Sequence, residues 1–263
     1  MAKSKKKPLS IRNVKLIVIL IAFVVAGGYR YYTQNILENR AVLNWSFKQK
    51  IKPVNIKNVQ ENQLSQLNFK GDIIINVSNG KPTFTDQELE LVEDWEEYQP
   101  LDDLRRATQA NALLGQSLMP TKKRERLNYH PTGWHTYDVK YKNQTNRLYN
   151  RSHLIAYQLT AENDNPENLV TGTWQMNADA MEFYETELKY YLNQTNHHVR
   201  YQVTPIYRNQ ELIPRGVHMM ARSIEDNAVS FNIYIFNVQP DVNIDYSTGL
   251  ASGKALVYRG SDD

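Results

Sequence analysis

Hydrophobic and polar positions change rhythm several times along the 263-residue chain. The first rhythm is an unbroken apolar run, Leu16 to Ala26, followed by Gly27, Gly28 and Tyr29, so fourteen residues from Leu16 to Tyr29 carry no charge. A membrane-spanning helix wants about 20 apolar residues and a signal-peptide core about 7–15. Residues 16–32 therefore read either as a transmembrane signal anchor or as a signal peptide cleaved after Ala26. Residues 33–70 are polar and rich in Asn, Gln and Lys. They read as a stalk or linker with some helix over Ile36–Lys50, which places the compact domain at 71–263.

Within that domain the rhythm alternates between short and helical periods. Asp72–Val77 is a strand run closed by a Ser-Asn-Gly turn. Thr85 and Glu88 form a capping-box signature, and Leu89, Val92 and Trp95 follow at helical spacing, so a helix is expected there. Leu101–Gly115 fits helix or strand equally. Trp134–Tyr141 and Arg147–Asn150 read as strands around an Asn-rich turn. Asn177–Tyr191 reads as a helix with Met181, Tyr184, Leu188 and Tyr191 along one stripe. Val199–Tyr207 and Ala228–Val238 alternate as strands do. The pattern is α+β, with a central antiparallel sheet.

Charge alters this picture through its placement. The net charge is +3, but residues 1–15 contribute +6 from Lys3, Lys5, Lys6, Lys7, Arg12 and Lys15, which leaves residues 16–263 at −3. An acid-free basic head before an apolar run places the N-terminus inside the cell and the remainder outside. Residues 86–103 hold nine acids and no base; residues 105–151 hold ten bases against Glu125 and Asp138. The second stretch interleaves Tyr129, Trp134, Tyr137 and Tyr141. Cations neutralise phosphates and aromatic faces stack bases, so a polyanionic substrate is expected, with Lys122, Lys123, Arg124 and Arg126 on backbone phosphates.

Cysteine is absent, which excludes disulfides, thiol catalysis and thiolate zinc sites. Six histidines remain, at 130, 135, 153, 197, 198 and 218, with no HExxH among them. Ser152 and His153 are adjacent, so on a strand they face opposite sides and cannot act as a nucleophile–base couple. Phosphodiester cleavage suits the set better. It needs a base for water, for which histidine serves near neutral pH, a hard cation among oxygen ligands, and an Arg clamp.

Asn150-Arg151-Ser152-His153, then Asn165-Pro166-Glu167-Asn168, then Asn177 with Glu185 eight residues on, resemble the DNA/RNA non-specific endonucleases. Within that family the likeness is to the membrane-bound nucleases through which DNA enters Gram-positive cells, and to their secreted DNases. It extends from about Asp72 to the Phe236–Gly249 tail. The resemblance implies a ββα-metal (His-Me finger) fold. It implies His153 as general base, Arg151 on phosphate, Asn177 as the sole direct protein ligand of Mg²⁺, and Glu185 holding the ion's waters. Mn²⁺ is left open as a substitute. Asn168 is expected to secure the loop. Two positions depart from the family's Asp-Arg-Gly-His: Asn150 replaces Asp, and Ser152 replaces Gly where backbone crowding is expected.

The expected function is an exported, sequence-nonspecific endonuclease that hydrolyses DNA to 5′-phosphate products, with RNA left open as a second substrate. The alternative is a non-catalytic surface receptor that binds DNA for uptake.

Overall fold

The computed structural model describes residues 54–257; the basic head, the apolar run and the expected Ile36–Lys50 helix lie outside them. Among the described residues no helix is long and apolar enough to cross a membrane.

A seven-stranded sheet forms the body. Its spatial order is β1 (Val54–Val59), β2 (Ile74–Val77), β11 (Ser230–Phe236), β10 (Gly216–Ser223), β9 (Val199–Ile206), β4 (Ala110–Leu114) and β3 (Trp95–Tyr98). Five junctions are antiparallel, as the pattern predicts. The edge pair β1–β2 is parallel. The alternating strands β9 and β11 fall where expected, whereas β10 was not foreseen. Seven of its eight residues are buried, so the strand lacks the in–out signature of a sheet with one wet face. The same explains the ambiguity at 101–115, where β4 is buried at all five positions.

Two layers cover the sheet. On one face the helix α2 (Glu182–Thr195) sets Tyr184 against Phe231 of β11, ring centroids 4.9 Å apart. Two-residue periodicity turns Tyr234 and Phe236 to the opposite face. There they cluster with Val59, Leu64, Ile75 and Val77. The expected stalk boundary at residue 70 is therefore too late. Val54–Val59 is a sheet strand, Leu64 is buried, and Arg208 donates to the carbonyls of Ser65 and Leu67. A polar composition concealed a segment whose few apolar residues close the second face.

The helix expected after Thr85 is also corrected. The capping box exists, with Glu88 accepting from Thr85 N–H and Glu88 N–H donating to Thr85 Oγ1. Only a single 3-10 turn follows, Gln87–Leu89; Leu91 and Val92 are each 53% exposed, and Trp95 enters β3 opposite Leu113. The acids clustered there repel at helical spacing.

Beside the sheet, β5 (Asp138–Tyr141) and β6 (Gln144–Arg147) form a hairpin whose turn places Lys142 and Asn143 at φ 51° and 62°. Next come β7 (Tyr149–His153) and β8 (Leu169–Thr173), paired antiparallel with His153 opposite Leu169. Between them lies the short helix α1 (Tyr157–Thr160). A π-helical segment, Gln175–Met181, leads from β8 into α2. Strand, strand and helix follow in the order of a ββα unit.

Candidate active site

The end of β7 and the start of the long helix share one concave cavity of about 280 Å³. Arg124, Arg151, His153, Asn177, Glu182 and Glu185 all line it. Strand alternation sends Arg151 and His153 to that side and Ser152 to the other.

His153 is 7% exposed. Its Nε2 lies 2.6 Å from the carbonyl oxygen of Asn163. A carbonyl only accepts, so Nε2 carries the proton and Nδ1 keeps its lone pair. Arg124 Nη2 donates to that lone pair at 3.3 Å. Burial first, then the Arg124 charge, pushes the imidazole down to about 4, against the lift from the Asn163 contact. His153 is thus neutral and oriented, with its acceptor nitrogen toward Arg124, which also lines the cavity.

Glu185 is 6% exposed and accepts from Ala156 N–H at 3.1 Å. Burial pushes its carboxyl up to about 8, more than the Ala156 bond lowers it. A cation placed beside it would favour the charged form. Arg151 stacks its guanidinium 4.9 Å from the Trp134 ring centroid, donates to the Leu127 carbonyl at 3.2 Å, and donates to His130 Nε2 at 2.6 Å.

Asn177 does not open the helix as expected. The π segment begins two residues earlier, and its first amides are taken by other side chains: Gln175 N–H by Gln239 Oε1, and Met176 N–H by Thr173 Oγ1. Asn177 is thereby released from capping, and among the described residues its side-chain amide has no hydrogen-bond partner. The π segment also supplies the alignment. Eight residues at about 100° each would leave Asn177 and Glu185 roughly 80° apart around an α-helix. The i→i+5 bond from Glu182 N–H to Asn177 O marks a wider turn, roughly 80° per residue, and four such residues remove most of that offset.

Asn168 behaves as a buried clamp: Oδ1 accepts from Ile155 N–H at 2.9 Å and Nδ2 donates to the Ile155 carbonyl at 3.0 Å. The crowding expected at Ser152 is absent, because the position diagonally across the hairpin is Gly172, where an added Cβ would overlap Ser152 Oγ. Asn150 is half-buried and lines a neighbouring cavity. Of the four expected phosphate cations, the structure brings Arg124 and Arg126 to these cavities. Lys122 and Lys123 are exposed and border neither, although the Lys122 carbonyl accepts from the Tyr157 hydroxyl at 2.9 Å. Sequence reasoning missed the Asn163 carbonyl, since any residue type offers one, and the contact between Arg124 and the base.

The family model described as DNA/RNA non-specific endonuclease matches residues 86–225, more than half of the chain. The chain belongs to this family. As a DNA/RNA non-specific endonuclease it also has solved structural relatives. NucA from Streptococcus agalactiae with magnesium ion bound is 28% identical, with a TM-score of 0.62 over 69% of this chain and 87% of that one. NucA with no metal bound gives 0.63 at 28% identity, covering 74% and 95%. Sda1 nuclease with bound zinc ion shares the fold at a TM-score of 0.53 and 24% identity, over 61% of this chain and 82% of that one. The ββα unit of this endonuclease thus sits in a mixed fold shared with streptococcal nucleases.

Proposed function

We propose that the protein is a metal-dependent, largely sequence-nonspecific endonuclease that hydrolyses DNA, with RNA open as a second substrate, and leaves 5′-phosphates. The observation that carries this reading is the His153 lone pair, fixed by the Asn163 carbonyl and turned toward Arg124 in a cavity shared with Asn177, Glu185 and Arg151. Binding alone requires none of that arrangement, which disfavours the receptor alternative.

The donor set fits a hard divalent cation: an unengaged amide and a buried carboxyl whose charged form a cation would favour, with no sulfur ligand. Asn177 would hold it through Oδ1, and Glu185 would hold its hydrating waters. Magnesium is favoured by oxygen chemistry and by the 28%-identical NucA structure with magnesium bound. When bound, the cation neutralises charge on the scissile phosphate and the leaving O3′. The protein does the rest. His153 Nδ1 accepts the proton of the attacking water, and Asn163 keeps the ring in that tautomer. Arg124 has to release Nδ1 before the proton can arrive, and an incoming phosphate offers its guanidinium a stronger partner. Arg151, braced on Trp134 and His130, meets a non-bridging oxygen.

The acid-free head and uncharged run of residues 1–29 support an outward-facing domain, either anchored or released by cleavage. Plasmid incubated with the purified protein should be nicked and linearised with Mg²⁺ or Mn²⁺, and stay intact with EDTA. Retention of plasmid on the protein without any cleavage would favour the receptor.

A further inference from the structure

Beside the His153 cavity lies a second and larger one, of about 620 Å³, within the range of about 300–1,000 Å³ typical of small-molecule clefts. Arg124, Arg151 and Asn177 line both, so a molecule held by one reaches the other. The walls differ in kind. The smaller cavity presents His153, the Asn177 amide and the carboxylates; the larger adds His130, Trp134, His135 and Tyr137, with Arg126 and Arg147 also in its wall. Trp134, His135 and Tyr137 are half-buried. Arg151 lies over one face of Trp134, but none of the ring–ring contacts is a flat stack: His130 meets Trp134 at 44°, His135 meets Tyr137 at 40°, and Tyr149 meets Tyr137 at 69°.

A phosphate chain passing over this face needs cations alone. A recess of this size lined with half-open aromatic rings beside arginines has the chemistry for a planar heterocycle joined to a phosphate.

We propose that the second cavity is a nucleoside subsite, which takes the base and sugar of one nucleotide bordering the cleaved linkage while its phosphate lies over the His153 cavity. This rests on the nuclease reading and adds a substrate preference to it. A paired base has to leave its stack to enter, whereas an unpaired one has not. Cleavage is therefore fastest at single-stranded or locally unpaired nucleotides, with no preference for base identity, because every base has a stacking face.

Single-linkage substrates test this directly: methyl p-nitrophenyl phosphate, which has no nucleoside, and the p-nitrophenyl esters of thymidine 5′-phosphate and thymidine 3′-phosphate. With the wild-type protein and Mg²⁺, one thymidine ester should exceed the methyl ester in kcat/KM by about tenfold or more, the worth of one stacked base. Tyr137→Leu and Trp134→Leu should shrink that ratio, and Trp134→Phe should retain most of it. In a duplex with one unpaired nucleotide, cuts should concentrate at the linkages flanking it. If DNA is cleaved but all three esters fall within about twofold and the bulge is cut no faster than paired positions, the subsite is overturned and the nuclease stands. If wild-type protein cleaves neither DNA nor any ester, the nuclease reading itself fails. The wild-type series decides the question even where a leucine variant does not fold.

Discussion

At the scale of the residue, His153 joins activity to stability. A positioned general base contributes about 10²–10⁴-fold. His153→Ala is therefore expected to lose cleavage by that order while retaining DNA binding, measured by single-turnover cleavage beside gel retardation in EDTA. His153→Gln keeps a donor for the Asn163 carbonyl but gains no basic nitrogen, so it should stay as slow as the Ala variant. The buried ring also sets a pH dependence. Its proton is lost at about 4 in the folded state and at 6.5 ordinarily, so between those values the unfolded chain binds more protons. The stability this contributes is fully present above about pH 6.5 and falls away as pH drops through about 4, by at most about 3 kcal/mol. Thermal melts at pH 7 and pH 5 should show a smaller difference for His153→Gln than for the wild type. An equal difference would place the titration elsewhere.

Elements act by their fit to one another. Ser152 fits its hairpin because Gly172 leaves room across from it, beside Met176 of the π segment. Gly172→Ala should cost about 1–3 kcal/mol as an overpacked core change, read from urea unfolding. Ser152→Gly should cost less, and combining the two should recover much of the Ala penalty, a coupling expected of side chains in contact. Additive costs would mean the two positions do not meet. The segment 54–70 is the other case. Because β1 pairs with β2 and Leu64 fills the face carrying Tyr234 and Phe236, a chain begun at Gly71 should be less soluble and melt lower than one begun at Ile51. Equal melting temperatures would return this segment to the role of a stalk.

Across the whole molecule, charge is sorted between an acidic stretch at 86–103 and a basic one at 105–151. All four cations are exposed, but only Arg124 and Arg126 border the cavities, while Lys122 and Lys123 border neither. Lys122→Ala with Lys123→Ala should raise KM and reduce the salt slope by about two, since each phosphate contact contributes about 0.9, while kcat holds. Arg124→Ala with Arg126→Ala should lower kcat as well, because Arg124 is the guanidinium proposed to turn from His153 Nδ1 onto the reacting phosphate. A salt slope unmoved by either pair would make the stretch a solvated surface.

The sequence by itself named the candidate site: the motifs at 150–153, 165–168 and 177–185 carry the family resemblance that singles out His153, Asn177, Glu185 and Arg151, and the fold brings these four to one cavity. Periodicity also located β2, β9 and the Met181–Tyr191 stripe, whose alternate or every-fourth positions are buried, while β11 was found from its β-branched and aromatic composition although six consecutive residues are buried. It could not locate β4 or β10, since a strand covered on both faces has no alternation to read. Nor could it tell that Thr85 caps a single turn, because a cap fixes where a helix starts and packing decides how far it continues. The geometry of the candidate site was left to tertiary structure. The tautomer of His153 depends on a backbone carbonyl ten residues away. The freedom of Asn177 depends on Thr173 and Gln239 taking the helix amides, and its alignment with Glu185 on a π segment that no residue type announces. The second cavity arises only when the 124–137 stretch folds against β7, so its shape, unlike its charge, has no signature in the chain order.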